Sequence, residues 1–269
     1  MNINKQRNNN MIFESHAHYD DKAFDFDREK VLALCKEQGI ETIVNVSASL
    51  QSIKSTLALA ENYDFIYAAV GIHPDEVGEL NEETFAWMRK QCEHPKAVAV
   101  GEIGLDYYWD KEGHETQKYW FCKQLDMAKE LARPVIIHSR EAAADTLEVL
   151  KEAQMPKGRV VLHCFSYTIE MAQEYLNMGY YIGIGGVVTF KNAKKLKEVV
   201  KMVPLERILL ETDCPYLAPE PNRGKRNSSL NLPYVVEAIA QLKGIDPEEV
   251  IDTTNNNARR FYLKEGRQG

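Results

Sequence analysis

The feature that most constrains this chain is a recurring alternation along its length. Short apolar runs rich in β-branched residues take turns with longer segments whose apolar residues recur at helical spacing. The runs are Met11–His16, Thr42–Ser47, Phe65–Ile72, Ala97–Glu102, Pro134–His138, Val160–His163, Tyr180–Gly185 and Ile208–Asp213. The helical segments fall near Arg28–Gln38, Leu50–Asn62, Glu82–Cys92, Glu115–Leu131, Ala142–Ala153, Ile169–Met178 and Ala193–Met202, with Leu232–Lys243 and Pro247–Tyr262 after the eighth run. Strands apolar throughout suit a parallel sheet covered by helices. Eight βα units in 269 residues match an α/β fold of the (β/α)8 TIM-barrel type, which typically takes about 250 residues. The rival is an open doubly wound sheet, with its site at a single switch point. Residues 1–10 (MNINKQRNNN) read as a disordered leader, and 11–269 as one barrel domain. The Pro-, Asn-, Gly- and Ser-rich stretch Cys214–Leu232 reads as a long loop after the eighth strand, where function often resides.

Composition narrows the function classes. Hydrophobic residues at 44% and charged residues at 27% are ordinary for a globular protein and argue against coiled-coil, collagen-like or wholly disordered chains. The net charge of −7 disfavours coating nucleic acid by bulk charge, while leaving room for a local basic patch. Every apolar run is too short for a membrane span, and the polar start has no apolar core of a secretory signal. Five scattered cysteines (Cys35, Cys92, Cys122, Cys164, Cys214), odd in number and without a CxxC pair, fit a reduced cytoplasm and small buried side chains.

Ionisable residues collect at one position in this pattern. His16 and His18 flank Ala17 at the end of the first run, and alternate residues of a strand share a face. Glu102, His138, His163 and Asp213 end the fourth, fifth, sixth and eighth runs. In such barrels the C-terminal strand ends carry catalysis. Any one of the six has a structural reading, as a cap or a satisfied core histidine, but together they converge on one rim. Four imidazoles and two carboxylates suit zinc, manganese, cobalt or iron, with magnesium at the carboxylate-rich end. Six ligands exceed what one open zinc needs, so two divalent ions sharing a carboxylate is the better count.

Ordered motifs across the chain carry a resemblance: ESHAHYD (14–20), VGIHPDE (70–76), VGEIGLDYYW (100–109), PVIIHSR (134–140), HCFS (163–166), IGIGG (182–186), LLETDCPYLAP (209–219) and RGKRN (223–227). The sequence resembles the TatD-related deoxyribonucleases of the amidohydrolase-like hydrolases. That resemblance implies a binuclear site of Mg, Mn or Zn. One ion is held by His16, His18, Glu102 and Asp213, and the other by Glu102, His138 and His163, with Glu102 as the bridge. It also implies that His73 touches substrate. Glu14-Ser15 stand where Asp-Thr is commoner, Tyr167 where glycine is usual, and Ser228-Ser229 where Glu-Pro is usual. Of these, Tyr167 is expected to narrow the mouth or to stack within it.

At the last strand end, Asp213 is placed to take the proton of an activated water. Arg140, Arg223, Lys225 and Arg226 are candidate phosphate ligands, either there or as solvated surface charges. Lys191, Lys194, Lys195, Lys197 and Lys201 read as the wet face of a helix, or as a modest aid to strand capture. Tyr107, Tyr108 and Trp109 could stack on bases or serve packing. His94 and His114 read as surface residues. The GIGG glycines lack dinucleotide-fingerprint spacing and suit a tight strand exit. The expected activity is metal-dependent cleavage of DNA phosphodiesters from a single-stranded or frayed end, in the 3′–5′ direction, with DNA as the partner and no obligate protein partner. The alternatives are hydrolysis of another ester or an amide on the same site, and a binding protein with a structural metal.

Overall fold

The structure, a computed structural model, describes residues 11–110 and 112–263. The leader expected over residues 1–10 lies outside the described residues. The strands among them are β1 (Ile12–Ala17), β2 (Ile40–Val46), β3 (Ile66–Val70), β4 (Ala97–Asp106), β5 (Val135–Arg140), β6 (Val160–Leu162), β7 (Tyr181–Ile184) and β8 (Ile208–Leu210). They form one sheet in the order β1 to β8, every pair parallel. Between them run α1 (Arg28–Glu37), α2 (Leu50–Asn62), α3 (Glu82–Gln91), α4 (His114–Glu130), α5 (Ala143–Ala153), α6 (Ile169–Asn177) and α7 (Lys194–Met202), followed by α8 (Leu232–Lys243) and α9 (Pro247–Tyr262). The expected barrel is therefore found, and the open doubly wound sheet is not.

Closure occurs just beyond the strands. The Asp213 N–H donates to the His16 carbonyl at 3.0 Å, and the His18 N–H to the Cys214 carbonyl at 2.8 Å. Residues expected at the metal centre thus also join the sheet's first edge to its last. Inside the barrel, Phe13, Val44, Val46, Ile136, Val161 and Leu209 pack with residues of α9. There the Phe13 and Tyr262 rings stack with centroids 5.8 Å apart, and the Tyr262 hydroxyl donates to the Ser15 carbonyl at 3.0 Å. The end of α9 therefore fills the foot of the barrel, opposite the strand C-termini. A second, larger cluster packs the helices onto the outer face. Two cores of this kind explain why the strands read as continuous apolar runs.

Period two converts this core into a site. Ile136 and His138 share a face of β5, and Val161 is followed two residues on by His163. Leu209, Glu211 and Asp213 continue the inward series at the exit of β8. On β1 the register shifts between Glu14 and Ala17, and His16 and His18 both turn inward above Phe13.

Several boundaries differ from expectation. β4 continues four residues past Glu102, to Asp106, so Glu102 lies within the strand instead of ending it. β5 likewise passes His138, whereas β8 stops at Leu210, three residues before Asp213. Gly104 makes the long β4 possible: at φ +146 a Cβ there would lie 1.9 Å from the His138 carbonyl oxygen. The cysteines are all free, but only three are buried; Cys122 is exposed and Cys164 half-buried. Tyr167 does not narrow the mouth. Its hydroxyl pairs with Ser139 Oγ at 2.9 Å and accepts the Ala142 N–H, which draws the ring into the packing between β5 and the loop after β6. His114 is no free surface residue, because its ring stacks on Tyr107 at 3.6 Å.

Candidate metal centre

The six side chains from five strands and their exits meet at one point. His16 Nε2 and His18 Nε2 are 3.1 Å apart. Asp213 Oδ1 lies 3.6 Å from the first and 3.3 Å from the second. Glu102 spans the group: Oε1 is 3.6 Å from His18 Nε2, while Oε2 is 2.9 Å from His163 Nε2 and 3.5 Å from His138 Nδ1. Ligand atoms of His16, His18 and Asp213 fall within 4.8 Å of one another, as do those of His16, Glu102 and His163, and of His73, Glu102 and His138. His73, expected to touch substrate, is thus close enough to offer a ligand atom; its ring lies 4.3 Å from that of His138.

Hydrogen bonds to groups that can only accept identify the tautomers. His18 Nδ1 must donate to the Val46 carbonyl (2.8 Å), which aims Nε2 at the cluster. His138 Nε2 must donate to Asp106 Oδ2 (3.1 Å), which aims Nδ1 at Glu102. Converging imidazole nitrogens flanked by carboxylates are poor hydrogen-bond partners for one another and a good donor set for divalent cations. The residues present therefore fit metal binding.

Electrostatics agree. Burial alone would raise Glu102, yet His163 and His138 hold it well below the usual carboxylate range. Burial opposes a charge on His18, but Asp213 and Glu102 raise it to about 10; Asp106 and Glu102 likewise raise His138 to about 9. Burial and the neighbouring His163 push His16 well down, and burial with His138 takes His73 to about 3. Charge is thus shared among the imidazoles, since adjacent cations cannot all persist in a buried site.

Two carboxylates escaped the sequence reading. Asp106, 1% exposed, orients His138 through one oxygen and accepts the Tyr108 and Trp109 N–H groups (2.8 and 3.0 Å) on the other. Its signal was present, because residues 102, 104 and 106 share one strand face. Glu211, also 1% exposed, lies below Asp213; one oxygen accepts the Cys164 N–H and the other has no partner among the described residues. Burial pushes its carboxyl well above the ordinary range.

A cavity of about 1010 Å³ opens over the cluster. His73 and Arg140 line it, with Trp109, Tyr216 and Lys22. Arg223, Lys225 and Arg226 are not among its lining residues. Arg226 instead makes a two-pronged pair with Asp27, both contacts 2.7 Å, and lies 4.7 Å over the Phe24 ring. Arg223 lies 4.2 Å over Phe190, and Lys225 reaches Asn222 at 3.4 Å. The lysines of α7 are also outside the cavity.

A closed parallel (β/α)8 barrel with a His-rich carboxylate cluster at its C-terminal rim defines the amidohydrolase-like class of metal-dependent hydrolases. Comparison with known proteins narrows the class. The family model described as "TatD related DNase" matches residues 13–263, and the chain belongs to that family. It is 44% identical over 252 residues to the metal-dependent hydrolase YabD of Bacillus subtilis, covering 94% of this chain and 99% of the relative. The 3′-5′ ssDNA/RNA exonuclease TatD of Cronobacter sakazakii is 34% identical over 247 residues, covering 90% and 94% of the two chains. Among solved structures, the TatD homologue YJJV of Escherichia coli superposes with a TM-score of 0.89 at 31% identity, covering 94% and 98%.

Proposed function

We propose that the chain is a deoxyribonuclease that removes nucleotides from the 3′ end of single-stranded or frayed DNA. The observation that carries this reading is the central position of Glu102, whose carboxylate lies 2.9–3.9 Å from the imidazole nitrogens of His16, His18, His138 and His163. His16, His18, Glu102 and Asp213 would hold one divalent ion, and Glu102, His138 and His163 a second, as Mg, Mn or Zn. Such ions polarise a phosphoryl oxygen and lower the pKa of water. Asp213 stands at the cavity edge of the cluster, where its carboxylate accepts the proton of the attacking water. Glu102 fixes the spacing between the two groups. Arg140 and His73 line the cavity and orient the phosphate. The free cysteines support a reducing, cytoplasmic setting, and no helix among the described residues is long and apolar enough to cross a membrane.

A second reading is hydrolysis of another ester or an amide. The specific observation favouring it is the acidic wall of the cavity, formed by Asp20, Asp21, Asp75 and Glu76, which disfavours a polyanion. One panel separates the two. End-labelled single-stranded DNA, RNA, an aryl phosphate and an amide are each incubated with protein reconstituted in Mg, Mn or Zn. The nuclease reading requires metal-stimulated shortening of labelled DNA; rapid amide hydrolysis without DNA cleavage would move the assignment to the second.

A further inference from the structure

The cavity walls differ in chemistry. Besides its acidic residues, the cavity has an aromatic side, where the exit of β4 carries Tyr108 and Trp109 and the end of β5 carries Arg140. The Arg140 guanidinium lies 4.0 Å over the Tyr108 ring and 5.5 Å from the Trp109 ring. The two aromatic rings meet edge to face at 4.8 Å and 86°. Trp109 is 66% exposed and lines the cavity together with Arg140. An indole so exposed gives little to the core, and most of its surface is open to another planar group.

What distinguishes this platform is how it is tied to the metal centre. A single buried carboxylate, Asp106, does both jobs. One oxygen receives His138 Nε2–H at 3.1 Å, and the other receives the backbone N–H groups of Tyr108 and Trp109. The start of the aromatic loop is therefore indexed to the imidazole that faces Glu102. Tyr216, the other exposed aromatic of the cavity, is bound differently, with its hydroxyl donating to Asp21 at 3.0 Å on the acidic side.

We propose that Trp109 is the stacking platform for the terminal base of the substrate, and that Arg140, held against the Tyr108 ring, binds the phosphate joined to that nucleotide. The proposal rests on the nuclease reading and adds a determinant of specificity to it. A base stacks without regard to its identity, because every base presents a π-face. The site then distinguishes a nucleotide from a bare phosphodiester, and tolerates all four bases.

The test compares two single-stranded oligonucleotides of one sequence, one ending in a normal 3′ nucleotide and one in a 3′ tetrahydrofuran residue that lacks a base. Wild-type protein should prefer the first in kcat/KM by roughly tenfold, the scale of one base stack. Trp109→Ala should erase that preference, and Trp109→Phe should keep most of it. A preference unchanged in Trp109→Ala overturns the proposal, as does equal cleavage of both oligonucleotides by the wild type. A binding readout separates this from the nuclease reading. Titration with dAMP in the presence of Mn should quench tryptophan fluorescence in the wild type but not in Trp109→Phe, which retains Trp87 and Trp120. Quenching without DNA hydrolysis leaves the nucleotide platform standing while the nuclease reading fails. DNA hydrolysis with neither base preference nor quenching overturns the platform and leaves the nuclease reading intact.

Discussion

At the scale of single residues, the proposed centre assigns chemistry to some groups and the aiming of those groups to others. Asp213→Asn should leave the fold intact and lower metal-dependent turnover by about 10²- to 10⁴-fold, the usual worth of a general base. Turnover with matched circular dichroism checks this. Asp106→Ala removes the acceptor that sets the His138 tautomer, and should weaken metal affinity by about 10- to 100-fold in calorimetric titration. Asp106→Asn, which keeps an acceptor oxygen, should lose less. The raised imidazoles make metal uptake pH-dependent. In the metal-free protein His18 (about 10) and His138 (about 9) hold protons that incoming cations must displace. Affinity should therefore rise as pH rises, with proton release visible as a buffer-dependent binding enthalpy near pH 7. The sign for stability is opposite. A folded-state pKa above the ordinary imidazole value stabilises the metal-free protein below about pH 6.5, and this contribution is lost as pH rises through the folded values.

At the scale of elements, stability and chemistry occupy opposite ends of the barrel. The end of α9 fills the foot through Phe261 and Tyr262, both buried. Phe261→Ala should cost about 3–5 kcal/mol in denaturant unfolding, the range for large aromatic truncations. Below the melting transition it should leave metal affinity unchanged, since α9 does not reach the cavity. At the rim, the loop after β8 is pinned by Arg226 to Asp27 and by the buried hydroxyl of Ser229, which donates to Glu14 at 2.9 Å. Ser229, one of the two residues that depart from the family's pattern, therefore belongs to a buried network that reaches the backbone of His16 through Glu14, whose carboxylate accepts the His16 N–H at 3.2 Å. The Arg226 pair is partly solvated, so Arg226→Ala should cost no more than about 1 kcal/mol.

At the scale of the whole molecule, a net charge of −7 and an acidic cavity wall leave few cations for a polyanion. Lys22 and Arg140 line the cavity. Two such contacts give a slope of about −1.4 for log(kcat/KM) on single-stranded DNA against log salt. A much steeper slope would show that a wider basic surface takes part. The barrel was legible because each strand is buried on both faces, which writes it into the chain as an uninterrupted apolar run between amphipathic helices. The clustering of six side chains was legible for a related reason: a parallel barrel puts every strand exit on one rim, so His16, His18, Glu102, His138, His163 and Asp213 could be grouped from order alone. Asp106 was passed over because β4 runs farther than its apolar run suggests, and Glu211 because a buried acid looks the same in sequence as an exposed one. Arg223, Lys225 and Arg226 share a loop with a rim position but not a direction, and only packing against Phe190, Asn222 and Asp27 turns them away from the cavity. Strand order and strand-end chemistry were thus determined by local pattern, which depends on near neighbours in the chain. Which oxygen faces which imidazole, and which arginine lines the cavity, were decided by contacts between residues tens to hundreds of positions apart, and those exist only once the barrel has closed.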